Sequence, residues 1–251
     1  MIDIILSGAN GRMGHVLQTM IAQQPEMQVV AGIDRETFSA DFPTYQSIAD
    51  CQVDADVIID FSHYSAVPVV LDYSAAKKIP VVVATTGLTD EIKEQITKTA
   101  EQTAVFFSAN MSLGINLLAK AIREITPVLE DEFNIEIVEK HHNQKKDSPS
   151  GTALLLADAV NDSVEEKKTY IYGRHGNDLE NPLSELGIHA VRGGTIPGEH
   201  TVIYAGPDEV IELNHLALSR NIFASGAVKA AKYVSDKTTG LYDMEKLIDE
   251  S

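Results

Sequence analysis

The sequence predicts an α/β chain in two parts: a parallel sheet covered by helices on both faces, and an α+β part built on a mixed sheet. Three observations carry this. In the first half, near-continuous apolar runs alternate with segments whose apolar residues recur at helical spacing. Beyond the middle, polar and apolar residues alternate one for one, with a single long helical segment among them. The chain end returns to helical spacing. Strand–helix alternation implies a parallel sheet. Strands buried on both faces read as unbroken apolar runs, whereas strict alternation marks a sheet with one covered face.

Taken in order, Asp3–Ser7 is a short buried strand, and Met13, Val16, Leu17, Met20 and Ile21 then form a helical stripe. Gln28–Ile33, Asp56–Phe61, Val81–Thr85 and Ala104–Ser108 supply four more strands. Helices are expected over Val67–Lys77 and over Asp90–Glu101, the latter with Ile92 and Ile96 inward. A helix near Leu113–Leu129 leads to alternating strands at Asn134–Glu139, Gly187–Arg192, His200–Tyr204 and Glu209–His215, interrupted by a helix at Thr152–Asp162. Phe223–Val234 and Met244–Ile248 are helical and are expected to pack back on the first part. The expected domains are therefore residues 1–111 with 221–251, and residues 112–220.

The 251 residues, 44% of them hydrophobic, suffice for two modest cores. The formal charge of −17 argues against generic nucleic-acid binding, which depends on neutralising phosphates. It also means that an anionic ligand must be held by a local cationic patch or by backbone amides. The amino terminus lacks a basic region ahead of its apolar run, and no apolar stretch is long enough to span a bilayer. Cys51 is the only cysteine, so no disulfide can form within the chain. These features lead us to expect a cytoplasmic chain with no membrane partner.

Gly8-Ala9-Asn10-Gly11-Arg12-Met13-Gly14 follows the first strand and opens the first helix. Glycines here allow a tight turn, close approach of backbone to a pyrophosphate, and close packing of helix on strand. The amides of the helix start then face an anion, with Arg12 beside them. In this strand–turn–helix context the motif predicts a Rossmann-type dinucleotide domain. Asp34 ends the second strand, where an acid holds the adenosine ribose. Arg35 beside it can grip a 2′-phosphate, so NADH, NADPH or both are the expected cofactors. Ala84-Thr85-Thr86 and Ser108-Ala109-Asn110-Met111 end two further strands on the same edge of the sheet, where open α/β sheets bind ligands.

The densest chemical signal is Glu139-Lys140-His141-His142-Asn143-Gln144-Lys145-Lys146-Asp147-Ser148-Pro149-Ser150-Gly151-Thr152. Adjacent histidines on an extended chain point to opposite sides. No cysteine or third histidine lies at ligand spacing, so no metal is expected. The segment reads instead as an anion-binding acid–base site. Ser148 ahead of Pro149 suggests the helix cap. The amides that follow, at Gly151 and Thr152, form a carboxylate seat with the Thr152 hydroxyl. His142 and the lysines supply charge, and His141 and Lys145 are the candidates for proton delivery. A nucleotide domain followed by such a site argues for hydride transfer coupled to proton transfer. A semialdehyde dehydrogenase would need a cysteine nucleophile in the second domain, and Cys51 lies in the first. A non-catalytic nucleotide sensor, or a structural subunit using the charged loop as an interface, leaves the proton donors unexplained.

Taken together, the glycine loop, Thr85-Thr86-Gly87, Glu139-Lys140-His141-His142, Lys145-x-Asp147-Ser148-Pro149-Ser150-Gly151-Thr152-Ala153, Gly187–Gly194 and Gly198-Glu199-His200 resemble the 4-hydroxy-tetrahydrodipicolinate (dihydrodipicolinate) reductase family. The resemblance runs in order over nearly the whole chain. It implies a Rossmann domain, a hinge, and an α+β domain that carries the substrate and builds a homotetramer. It also implies reduction of a cyclic imine dicarboxylate by NADH or NADPH, on the route to lysine. By resemblance His141 and Lys145 donate protons, and His142, Gly151 and Thr152 hold substrate carboxylates. Gly8 to Met13, Asp34, Ala84 to Thr86 and Ser108 to Met111 contact the cofactor. The chain departs from the family pattern at Asp34, where many members have Glu, and at His63, where some have Arg. Ser148 stands where Ala is usual.

Overall fold

The computed structural model describes residues 1–177 and 182–251. The chain divides into two compact units, Met1–Leu113 with Asn221–Ser251, and Gly114–Arg220.

The first unit is built on a seven-stranded parallel sheet. Its strands are β1 (Ile2–Ser7), β2 (Met27–Ile33), β3 (Thr44–Tyr45), β4 (Val57–Asp60), β5 (Val81–Val83), β6 (Ala104–Phe107) and β12 (Gly240–Tyr242), in the spatial order β3-β2-β1-β4-β5-β6-β12. Helices α1 (Arg12–Ile21), α6 (Asn221–Val234) and α7 (Met244–Asp249) share one core with Ile4, Leu6, Val57, Ile59, Val82 and Phe106. Helices α2 (Val67–Lys77) and α3 (Asp90–Ala100) share another with Ile5, Ile58, Val81, Val83 and Val105. Successive side chains of each strand thus enter opposite cores, which is why the runs carry no polar interruptions. The helical tail forms part of this unit. Strands β3 and β12 were not anticipated. Both are short edge strands of two or three residues, too brief for a periodic signal.

The second unit carries a five-stranded mixed sheet in the order β11-β10-β7-β9-β8. Its strands are β7 (Asn134–His141), β8 (Thr169–Tyr172), β9 (Glu185–Arg192), β10 (Glu199–Ala205) and β11 (Val210–Leu216). β10 runs antiparallel to β7 and β11, whereas β7, β8 and β9 are mutually parallel. Strand β8 is a further element the alternation did not reveal. Ile135, Ile137, Leu186, Ile188, Val202 and Tyr204 pack against α4 (Leu113–Leu129) and α5 (Gly151–Asn161). Tyr204, fully buried, exchanges a 2.7 Å hydrogen bond between its hydroxyl and that of buried Thr126 on α4.

That bond fixes how α4 lies on the sheet. Tyr204→Phe leaves the Thr126 hydroxyl buried without its partner and should cost about 1–3 kcal/mol. Adding Thr126→Val should cost less than the sum of the two single changes, as measured by denaturation midpoints in a double-mutant cycle.

Candidate active site

In the first unit the topology reverses between β1 and β4: β1 leads to one side through β2, and β4 to the other through β5. Open α/β sheets bind ligands at the carboxyl end of such a reversal. There a cleft of about 450 Å³ is lined by Gly8, Asn10, Gly11, Asp34, Arg35 and His63, among others. Gly8 has φ +79°, and a Cβ on it would lie 2.5 Å from the Phe61 carbonyl oxygen. A Cβ on Gly14 would lie 2.3 Å from the Gly8 carbonyl oxygen. The turn therefore touches both the end of β4 and the first turn of α1, and no larger residue fits at either point.

Several amides of the turn are already engaged. Gly8 and Ala9 donate to the Ile33 carbonyl, Gly11 to that of Gly8, and Asn10 to Asp34 Oδ2 at 3.1 Å. The N-cap of α1 is Gly11, which has no side chain to accept from the first-turn amides. The first-turn amides, at Arg12, Met13 and Gly14, accordingly face an anion without a competing side-chain cap. Asp34 also accepts from the Glu36 amide, so its carboxylate is held at the cleft wall from both sides. Arg12 and Arg35 are exposed. The cradle suits a dinucleotide: the glycines leave room where a Cβ would intrude, and a carboxylate stands at the second strand's end.

The other expected nucleotide contacts sit at the ends of β5 and β6 but are not among the walls of this cleft. Ala9, Ala84 and Met111 have their side chains in the apolar core. The Thr85 hydroxyl donates inward to buried Asp60 at 2.6 Å. Asp60 is pushed above the usual carboxylate range by burial, against the pull of its hydroxyl neighbours. The side chains of Ala9, Ala84, Thr85 and Met111 are thus turned inward, whereas Thr86 and Ala109 are exposed. Ser108 turns its hydroxyl to the Asn110 carbonyl, and Asn110 Oδ1 accepts from the Ser112 amide. His63 was not assigned a contact by the motifs. It lines the cleft and accepts through Nδ1 from the Ser65 amide, capping a 3₁₀ turn.

In the second unit the charged segment is organised by strand periodicity. Along β7 the buried positions are Ile135, Ile137, Glu139 and His141. The apolar face of the strand thus ends in a carboxylate and an imidazole. Glu139 has no exposed surface. It accepts from Arg192 Nη1 and Nη2 at 2.7 and 2.6 Å, from the Ser150 amide at 3.0 Å, and pairs with His141 Nδ1 at 2.6 Å. Burial alone would raise its carboxyl; these donors outweigh it and hold the group below its ordinary range. Arg192 lies opposite His141 in the β7–β9 register and also donates to the Asp147 carbonyl.

The cap of α5 is Ser150, not Ser148: its Oγ accepts from the Ala153 amide at 3.1 Å. Ser148 precedes a cis peptide bond to Pro149 and lies two residues before the cap. Ser150 Oγ also meets His200 Nε2 at 2.8 Å, and the His200 ring stands edge-on to His141 with centroids 5.1 Å apart. Gly151 and Thr152 begin the helix. Lys145, mostly buried, pairs with exposed Asp147 at 2.9 Å. His142 is half-buried and its carbonyl accepts from the Lys145 amide. The structure therefore gathers His141, Lys145, Gly151 and Thr152 around one loop. It adds Glu139, Arg192, Ser150 and His200, which the sequence reading had not given roles. The signal for Glu139 and His141 was the period of two carried past the apolar residues. Arg192 and His200 are joined to them only through sheet register.

Desolvation lowers His141 below its ordinary value, against the pull of Glu139 and with the help of Lys145 and Arg192. Among the described residues no three His, Cys, Asp or Glu side chains are grouped to hold a metal ion. Cys51 is buried in the core of the first unit, away from any role as a nucleophile.

A dinucleotide cradle at a sheet reversal, with a separate unit carrying a histidine–lysine loop ahead of a helix start, marks a nicotinamide-dependent oxidoreductase. The family models for dihydrodipicolinate reductase match residues 2–111 (N-terminus) and 114–248 (C-terminus), and the chain belongs to this family. The second model includes residues that structurally complete the first unit. The 4-hydroxy-tetrahydrodipicolinate reductase of Caldanaerobacter subterraneus subsp. tengcongensis is 51% identical, over 99% of this chain and 98% of that protein. That of Clostridium tetani is 44% identical over the same shares. The dipicolinate-bound dihydrodipicolinate reductase from Paenisporosarcina sp. TG-14 has the same fold, with a TM-score of 0.84 over 98% of this chain and 99% of that one, at 24% identity.

Burial of His200 should make the unit's stability pH-dependent. Burial, with His141 nearby, lowers it from 6.5 to about 4. Its folded value lies below its unfolded one, so unfolding takes up a proton in that window. Stability should be full above pH 6.5 and fall as pH drops towards 4. His200→Gln should flatten that fall in thermal melts taken across the window; an unchanged slope would exclude His200 as its source.

Proposed function

We propose that the chain reduces 4-hydroxy-tetrahydrodipicolinate, or the dihydrodipicolinate formed from it, to tetrahydrodipicolinate, supplying diaminopimelate and lysine synthesis. Membership of the reductase family gives the reaction class and substrate. The observation that carries the reading is the loop in which a buried imidazole, a shielded ammonium and a capped helix start lie together.

When bound, NADH or NADPH supplies the hydride. Gly8, Ala9, Asn10, Gly11, Arg12 and Met13 would hold its phosphates and Asp34 its adenosine ribose. Ala84, Thr85, Thr86, Ser108, Ala109, Asn110 and Met111 would flank the remainder. Asp34 favours NADH, because a carboxylate repels a 2′-phosphate. Exposed Arg35 offsets that repulsion, so NADPH is accepted too. In the second unit Gly151, Thr152 and His142 seat the substrate carboxylates. The reduced ring then needs one proton on carbon. Lys145 delivers it, exchanging its contact with Asp147 for the substrate's charge, and His141 tunes or relays the proton. Exposed Val210, Ile211 and Leu216 on edge strand β11 support self-association through this unit, which we take to be a homotetramer. We place the enzyme in the cytoplasm; no helix of the described residues is long and apolar enough to cross a membrane.

Substrate generated in situ should consume nicotinamide absorbance with either cofactor, and no consumption with either would end the reading. Asp34→Ala should shift the ratio of kcat/KM towards NADPH. Lys145→Ala and His141→Gln should each lower kcat by roughly 10²–10⁴-fold. Wild-type-like kcat in both would remove their roles as proton donors.

A further inference from the structure

We infer that Glu139 is a positioning residue: it fixes His141 as the Nδ1–H tautomer, reserves Nε2 for proton exchange, and ties that imidazole to the first turn of α5. The inference rests on the role proposed above for His141.

A carboxylate only accepts hydrogen bonds. With Glu139 Oε2 at 2.6 Å from His141 Nδ1, the proton between them belongs on the ring nitrogen as long as Glu139 is ionised. Three other donors keep it so: both terminal nitrogens of Arg192, and the Ser150 amide. Neutral His141 therefore carries its lone pair on Nε2. The space beside that atom is kept by a glycine, since a Cβ at Gly198 would lie 3.0 Å from Nε2. Lys145, Arg192 and His200 are the other titratable or charged groups acting on His141.

The same carboxylate spans two parts of the site. Oε2 holds the imidazole, and Oε1 holds the amide of Ser150, the residue that caps α5. Proton exchange and carboxylate seating are thereby referred to one fixed group. When Nε2 gains a proton, Glu139 stabilises the imidazolium from the opposite side of the ring, as the carboxylate of a hydrolase triad does. An arginine–glutamate pair serving the sheet alone would need neither the His141 contact nor the Ser150 one.

Glu139→Gln separates the two roles. The glutamine carbonyl, on the Oε1 side, still accepts from Arg192 Nη2 and from the Ser150 amide, whereas its amide group now faces Nδ1 as a donor and no longer accepts from Arg192 Nη1. The ring must then lose its Nδ1 proton and carry one on Nε2. Nitrogen-15 spectra of the histidine-labelled full chain, with His141 assigned by the loss of its signals in His141→Gln, should show Nδ1–H in the native protein and Nε2–H in Glu139→Gln. Turnover should fall about 10²–10⁴-fold. Binding of NADH, read by fluorescence, should stay within twofold, because the nucleotide cradle belongs to the other unit. Nε2–H in the native chain overturns the inference and needs no folded variant to be seen. So does a Glu139→Gln protein that keeps Nδ1–H or near-native kcat. Full turnover in His141→Gln is a different failure: it removes the proposed role of His141 and leaves the tautomer result standing.

Discussion

The constraint that orders the second unit is a carboxylate with no contact with water. Burying an ion is costly unless it is paired and fully hydrogen-bonded. Glu139 meets that condition only because three separate elements converge on it. β9 brings Arg192 into register beside the end of β7, α5 presents the Ser150 amide, and β7 itself turns His141 to the same face. If any of the three is displaced, the charge is left uncompensated. The position of the helix start against the sheet is thus set by electrostatics at one end and by the apolar contacts of Ala153, Leu156 and Val160 along its length.

The first unit solves the related problem of an anion in a chain of formal charge −17 by a different route. Its turn uses backbone and geometry. Gly8 and Gly14 let strand, turn and helix approach within distances that any side chain would block. The Gly11 cap leaves first-turn amides without a side-chain acceptor. Charge enters only at the margins, through exposed Arg12 and Arg35. Backbone amides carry no desolvation cost comparable to that of a buried ion. The loop of the second unit depends on the identity of each charged residue.

The parts of this architecture that could be read from sequence are those with a local period. The apolar runs of β1, β4, β5 and β6 report burial on both faces, and the tail's helical spacing places α6 in a core. The edge strands β3, β8 and β12 had no such record, since their segments, TY, TYIY and GLY, hold no unbroken apolar run. At the site, His141, Lys145 and the helix start were legible because one continuous segment holds them. Arg192 and His200 lie on strands 50 or more residues away and reach the cluster by pairing with β7. Ser148 drew the cap assignment because a serine before proline often ends that way. The cap instead falls two residues later, where Ser150 can serve Ala153, Glu139 and His200 together.

The resting charge state follows from the same contacts and bears on how a dianion is received. Desolvation and the nearby Lys145 and Arg192 keep His141 below its ordinary value, despite the favourable contact with Glu139. Arg192 is already committed to Glu139, and Lys145 to Asp147. Of these two pairs, that of Glu139 is closed to water and that of Asp147 is open, with the carboxylate 60% exposed. An arriving carboxylate can therefore displace Asp147 into solvent at little cost but cannot displace Glu139. It also raises the proton affinity of His141, because a negative charge close by favours the imidazolium. In the proposed reaction the substrate would thus free the ammonium that protonates it and help charge the imidazole behind. The permanent ion pair stays intact as the frame on which both changes occur.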